Sequence, residues 1–263
     1  MSTIVKIAGV DVHIEGAGAE TLVMIHGWPD THRVWDSTVA HFKTRYRCVC
    51  FELPGYEPGA ACAYTIAELT GIFRQICEQV NSGKPVLLLV HDWGCFFGGQ
   101  FAMRHPQLIQ KMVCVDVGDP KSLEKSVTLG SGLMILAYHL TLALAWKLGG
   151  RIGAAINRFM ARALGYRLDT DYIHANMAYP YWLVWFGRRK PGNEVVALEP
   201  PFPFMFMYAR RKPVMFHAQS WLDWLRSRPG NAVVEMDTGH WVMVQQPEQF
   251  NQVIGDWFLS PPA

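Results

Sequence analysis

The sequence predicts an α/β protein: a mostly parallel central sheet flanked by helices and interrupted by one helical insertion. Three observations predict this. Short β-rich apolar runs alternate with helix-type stretches of ten or more residues, the pattern of crossovers between parallel strands. The alternation stops at Pro120, where the chain turns helical, aromatic and glycine-punctuated, and resumes at Phe204. The apolar run 86–90 breaks at His91-Asp92-Trp93-Gly94, and a helix-compatible stretch follows at once. That is the layout of a strained strand–turn–helix element that lifts one side chain above a parallel sheet.

Taken in order, residues 1–18 alternate like a hairpin. Strands are expected over 21–26, 47–51, 86–90 and 112–117, and helices over 32–42, 66–80 and 95–104. After the insertion come a strand over 204–208, a helix over 218–226, a strand over 232–235 and a helix over 247–258. The expected division is a core of 1–119 and 204–263 and a helical cap of 120–203. The cap would lie over the carboxyl ends of the strands, where open α/β sheets bind ligands.

With 263 residues, the chain suits one domain with a modest insertion. Half the residues are hydrophobic, 13% are aromatic and ten are Trp, which implies a large core and an apolar pocket. The net charge is +2, and basic residues cluster only briefly, as in Arg188-Arg189-Lys190 and Arg210-Arg211-Lys212. Without an extended basic stripe, nucleic acid is not an expected partner. Cysteines 48, 50, 62, 77, 95 and 114 form no Cys-x-x-Cys pair, so no metal site is expected. Cys48 and Cys50 point the same way from one strand, a poor disulfide geometry. Reduced thiols and no charged, apolar leader segment lead to a cytoplasmic expectation. The 14 residues 133–146 are almost all apolar. A membrane span takes about 20, so a buried or lid helix is expected, with peripheral membrane contact through the cap as the lesser reading. A monomer or homodimer fits equally.

At the apex of the element at 91–94 stands Asp92, a carboxylate able to displace a leaving group from carbon and form an ester. Its bland alternative is a helix N-cap. Gly98-Gly99 would let the helix approach the sheet. His240, in Asp237-Thr238-Gly239-His240-Trp241 after the last strand, is placed to deprotonate water. The turn His26-Gly27-Trp28-Pro29 can aim the Trp28 amide into the site, where with the Trp93 amide it would form an oxyanion hole. The other histidines are expected to be structural, with His26 and His91 shaping loops.

These three motifs, in this order and with a lid between the second and third, resemble the epoxide hydrolase and haloalkane dehalogenase branch of the α/β-hydrolase fold. The strand–helix alternation extends the resemblance over nearly the whole chain. It implies two-step hydrolysis through an alkyl-enzyme ester on Asp92, with no cofactor and a small apolar substrate. The triad acid departs from the common pattern, because Lys212 stands where many relatives carry a carboxylate after the strand that follows the lid. The resemblance to one dehalogenase subgroup moves the acid to Asp116, with Asp119 as the alternative.

Epoxide opening requires proton donors, which this branch takes from two lid tyrosines. Tyr138 is the expected first, and Tyr179 or Tyr181 the second. Halide release would need Trp93 with a second indole, from Trp146, Trp182 or Trp185. Val90 leans towards dehalogenase; Trp28 and the tyrosines lean towards epoxide hydrolase, and carry more weight. The expected function is therefore epoxide hydrolysis, with haloalkane dehalogenation as the runner-up. A non-catalytic, ligand-binding homologue, motivated by Lys212, is the third reading.

Overall fold

In the computed structural model, which describes residues 2–57, 63–126 and 128–261, the described strands form an eight-stranded sheet of order β1-β2-β4-β3-β5-β6-β7-β8. The strands are β1 Ser2–Ile7, β2 Val10–Glu15, β3 Thr21–Ile25, β4 Arg47–Phe51, β5 Val86–His91, β6 Ile109–Val115, β7 Phe204–Ala209 and β8 Ala232–Met236. The N-terminal hairpin runs antiparallel to β4, and every pair from β4 to β8 is parallel. Every residue of β3 and β5 is buried. Helices cover both faces of a parallel sheet, so these strands read as continuous apolar runs rather than alternating ones.

The described helices are α1 Asp36–Phe42, α2 Ile66–Val80, α3 Trp93–Arg104, α4 Pro120–Ser126, α5 Leu129–Leu148, α6 Gly150–Ala163, α7 Tyr179–Trp182, α8 Gln219–Arg226, α9 Val242–Gln245 and α10 Pro247–Leu259. Helix α2 shows how the core is specified. Ile66, Leu69, Phe73, Ile76, Cys77 and Val80, spaced three or four apart, are all buried. Thr65 and Glu68 close a capping box at its start. Each large apolar side chain buried this way contributes about 1.5–3 kcal/mol.

Four expectations shift. The helix expected over 32–42 is a 3₁₀ turn, His32–Trp35, followed by α1. The strand expected over 112–117 spans Ile109–Val115, which leaves Asp116 just beyond it at φ 76°. Helix α3 begins at Trp93, directly after the apex, instead of at Cys95. The apolar stretch 133–146 lies within α5, whose apolar window is only 17% buried; the buried-helix alternative is therefore corrected, because most of this helix is exposed or half-buried. The five described cysteines, 48, 50, 77, 95 and 114, are free and buried; Cys62 lies outside the described residues.

Candidate active site

Five loops leave the carboxyl ends of β3, β5, β6, β7 and β8 on one edge of the sheet, bringing Trp28, Asp92, Asp116, Lys212 and His240 together. Asp92 has φ 54° and ψ −121° and makes no capping bond with its own helix. That removes the N-cap alternative. A non-glycine residue held there costs of order 1–3 kcal/mol, sustained only by the packing around it. The close approach that permits the turn is at Gly94, where a Cβ would overlap the Ile25 and His26 carbonyl oxygens. Gly98 lies over the Val90 side chain, where a Cβ would come within 2.8 Å of Cγ1.

The Trp28 amide donates to Asp92 Oδ1 at 2.7 Å, and the Trp93 amide dipole beside the same carboxylate favours its charged form. Gly27 is required between them: a Cβ there would lie 2.6 Å from the Trp93 nitrogen and overlap the Asp92 side chain. His26 shapes this turn, with Nδ1 donating to the Gly27 carbonyl at 2.9 Å and Nε2 accepting from the Leu53 amide at 3.0 Å.

His240 Nε2 lies 3.3 Å from Asp92 Oδ2, and its Nδ1 is hydrogen-bonded to Asp116 Oδ2. Asp119 is elsewhere, accepting from the Ser122 and Leu198 amides at 2.6 and 2.8 Å. Of the two candidate acids, Asp116 alone reaches His240. Because a carboxylate only accepts, Nδ1 carries a hydrogen towards Asp116 and, in the imidazolium, Nε2 carries one towards Asp92. Burial disfavours the charged imidazole, but bonds and charge from Asp116 and Asp92 outweigh it and raise the His240 pKa to about 10.

Lys212 does not orient the histidine. Its Nζ lies 2.6 Å from Asp116 Oδ1, nearly fully buried. Burial alone would raise the Asp116 pKa, yet the charges of Lys212 and His240 hold it down at about 2. The Ala209 amide adds a third partner at 2.8 Å. The lysine that read as a defect in the sequence thus braces the carboxylate across the sheet edge.

His91 packs against His240 with its ring tilted and centroids 4.5 Å apart, and its Nε2 donates to the His240 carbonyl at 3.1 Å. Burial and the neighbouring imidazolium lower its pKa to about 3, so it stays neutral. Asp30, which the sequence did not single out, accepts from the Trp241 indole at 3.0 Å and anchors the same loop.

The cavity in front of Asp92 measures about 330 Å³ and is lined by Trp28, Tyr138, Tyr181 and His240 among others. Tyr138 and Tyr181 face each other with centroids 5.9 Å apart. Tyr179 lies behind them, its hydroxyl donating to the Pro54 carbonyl at 3.0 Å. A proline three residues before Leu183 starts a short helix that turns successive tyrosines to different faces, which residue spacing alone did not reveal. A second feature missed by the sequence is His139. The Trp185 indole donates to its Nδ1 at 3.0 Å, so its Nε2 carries the hydrogen and faces the Tyr138 hydroxyl at 2.8 Å. Burial lowers its pKa to about 4. This leaves the Tyr138 hydroxyl hydrogen free to point into the cavity.

The expected halide donors are placed differently. Trp93 packs edge-to-face on Tyr181 with centroids 5.0 Å apart, Trp185 serves His139, and Trp146 packs against Trp182 at 5.2 Å. None of these four indoles lines the cavity. Among the described residues no cluster of His, Cys, Asp and Glu could hold a metal ion.

Epoxide hydrolase 1 of Caenorhabditis elegans is 30% identical over 133 residues, 48% of this chain and 33% of that protein. Epoxide hydrolase 2 of the same organism is 32% identical over 108 residues, 40% of this chain and 30% of that protein. The chain thus spans about a third of the length of these relatives. A solved structure of an epoxide hydrolase M145A mutant from Bacillus megaterium superposes with a TM-score of 0.76, covering 98% of this chain and 100% of that one at 20% identity. That likeness shows the fold. The profile of the alpha/beta hydrolase fold matches residues 20–168. With that match over more than half its length, the chain belongs to the alpha/beta hydrolase fold family.

Proposed function

We propose that this protein hydrolyses apolar epoxides to diols through an ester on Asp92. The observation that carries the reading is the pair of tyrosine rings, Tyr138 and Tyr181, facing Asp92 across one cavity. Asp92 Oδ2 attacks an oxirane carbon, the carbon–oxygen bond breaks towards oxygen, and a tyrosine hydroxyl protonates the departing alkoxide. Alkylation removes the Asp92 charge that helps hold the proton on His240, so the imidazolium becomes acidic and its proton returns to the tyrosinate. Neutral His240 then takes a proton from water as the water oxygen attacks Asp92 Cγ. Oδ1 becomes the oxyanion, the Trp28 amide already donates to it, and the Trp93 amide is the proposed second donor. Collapse breaks the Cγ–Oδ2 bond, and His240 returns its proton to the diol oxygen. The new carboxylic acid at Asp92 then re-protonates His240, which restores the resting ion pair.

Dehalogenation would use the same nucleophile and base. It is disfavoured because the Trp93 indole packs edge-to-face on Tyr181 and lies outside the cavity lining. The test is a single turnover of styrene oxide in ¹⁸O-water, with 1-bromobutane in parallel. Diol free of label, with ¹⁸O found in Asp92 by peptide mass, supports the reading. Bromide release with epoxide untouched supports dehalogenase, and silence on both substrates supports a binding protein.

A further inference from the structure

The cap is built against the usual rule for a surface helix. On α5, Leu129, Leu133, Ala137, Leu140, Leu144 and Leu148 recur every three or four residues and are all exposed. That spacing makes one apolar stripe along the whole outer side, about 28 Å long at 1.5 Å per residue. Leu129 is 82% exposed and Leu133 59%. Contiguous exposed apolar surface of this size marks an interaction site. Trp185 and Phe186, about half exposed, extend it, since Trp185 bonds His139 on the same helix.

Charge identifies what covers this face. Residues 120–203 carry ten Lys and Arg against five Asp and Glu, net +5, whereas the rest of the chain carries fourteen against seventeen, net −3. Exposed Lys147 and Arg151 sit at the end of α5 and the start of α6, and exposed Arg188, Arg189 and Lys190 follow Trp185 and Phe186 directly. Helix α5 itself holds no acidic residue. In a two-fold dimer through this patch, each positive cap would face its own copy. A bilayer with anionic headgroups satisfies both the stripe and its basic flanks.

We propose that α5 docks the cap on an anionic lipid surface, lying in the interface rather than crossing it. The helix is long and apolar enough to span. Its opposite side, however, is occupied, with Leu142, Ala143 and Ala145 buried and Tyr138 lining the cavity. Met134 and Leu164, each 42% exposed, belong to the cavity lining. The docked face therefore runs into the mouth of the site, and an apolar substrate dissolved in the membrane would reach Asp92 without crossing water. Docking is independent of the chemistry at Asp92; only substrate delivery rests on the epoxide reading.

Flotation of the full chain with phosphatidylcholine vesicles, with and without phosphatidylserine, tests it. Binding is expected to phosphatidylserine vesicles and to weaken as salt rises from about 0.1 to about 1 M, where screening shortens from roughly 10 to 3 Å. Leu133→Glu and Leu144→Glu, both at exposed positions, should cut the bound fraction at least roughly tenfold, while thermal melting and turnover of a water-soluble epoxide stay unchanged. If the chain is no epoxide hydrolase, flotation keeps its meaning and the melting curve serves as the fold control. No flotation of the folded natural chain on either vesicle overturns the proposal. A dimer in light scattering that Leu144→Glu dissociates, without vesicle binding, assigns the face to a second copy instead.

Discussion

Replacing Asp116 by Asn separates the two chemical steps. Asparagine tolerates the positive φ of 76° at this position, so the turn itself should survive. What changes is charge. Lys212 Nζ lies 2.6 Å from Asp116 Oδ1, worth about 6 kcal/mol of attraction at an effective dielectric of about 20. Breaking a buried pair on one side costs about 3–5 kcal/mol net. For a chain of this size that lowers the melting temperature by roughly 6–20 °C. With the amide oxygen kept on the Lys212 and Ala209 donors, the new NH2 faces His240 Nδ1 and cannot accept its hydrogen, so water activation should slow by roughly a hundred- to ten-thousand-fold. Attack by Asp92 needs neither effect. With a reactive epoxide the variant should form one adduct per chain and then stall, seen as a stable mass increase in intact-protein spectrometry. The double variant Asp116→Asn/Lys212→Met should regain melting temperature but not hydrolysis. Steady turnover within tenfold of the natural chain and no adduct, in a variant that melts cooperatively, would refute the assignment of Asp116 as the partner of His240.

Tyr138→Phe and Tyr181→Phe should each lower the rate of epoxide opening by about a hundredfold or more, measured as burst rate, while Tyr179→Phe, which loses the bond to Pro54 and lies outside the cavity lining, should reduce stability more than rate. His139→Phe should slow opening by roughly tenfold through loss of the Tyr138 bond, and His139→Gln, whose amide can still donate to that hydroxyl, should recover most of it. Gly27→Ala should disturb the Trp28 and Trp93 amides and reduce ester hydrolysis by about 100–1,000-fold; unchanged hydrolysis in a folded variant would remove the oxyanion assignment. The raised pKa of His240 has a sign that can be checked by melting. Folded near 10 against about 6.5 unfolded, it stabilises the protein fully below pH 6.5, and that share is lost as pH rises through about 10. The melting-temperature gap between the natural chain and His240→Gln should therefore be widest at low pH and close above about pH 10; a constant gap would contradict the ion pair.

The sequence by itself determined the parallel sheet, the strand–turn–helix around Asp92 and the chain positions of Trp28 and His240. Each of those signals is local: apolar runs of period set by burial, a breaking turn, and a glycine beside a functional residue. Only the tertiary structure decided which carboxylate reaches His240 and which tyrosines line the cavity. Asp116 and Asp119 are three residues apart and chemically identical, and what separates them is which one the end of β6 turns towards β8. Lys212 reads as a missing carboxylate along the chain, but across the β6–β7 edge it becomes the counter-charge of Asp116. The tyrosines at 179 and 181 differ only by the face a short proline-led helix gives them. The outward leucines of α5 look like core in the sequence, since apolar composition records that a residue avoids water and not which neighbour it finds instead.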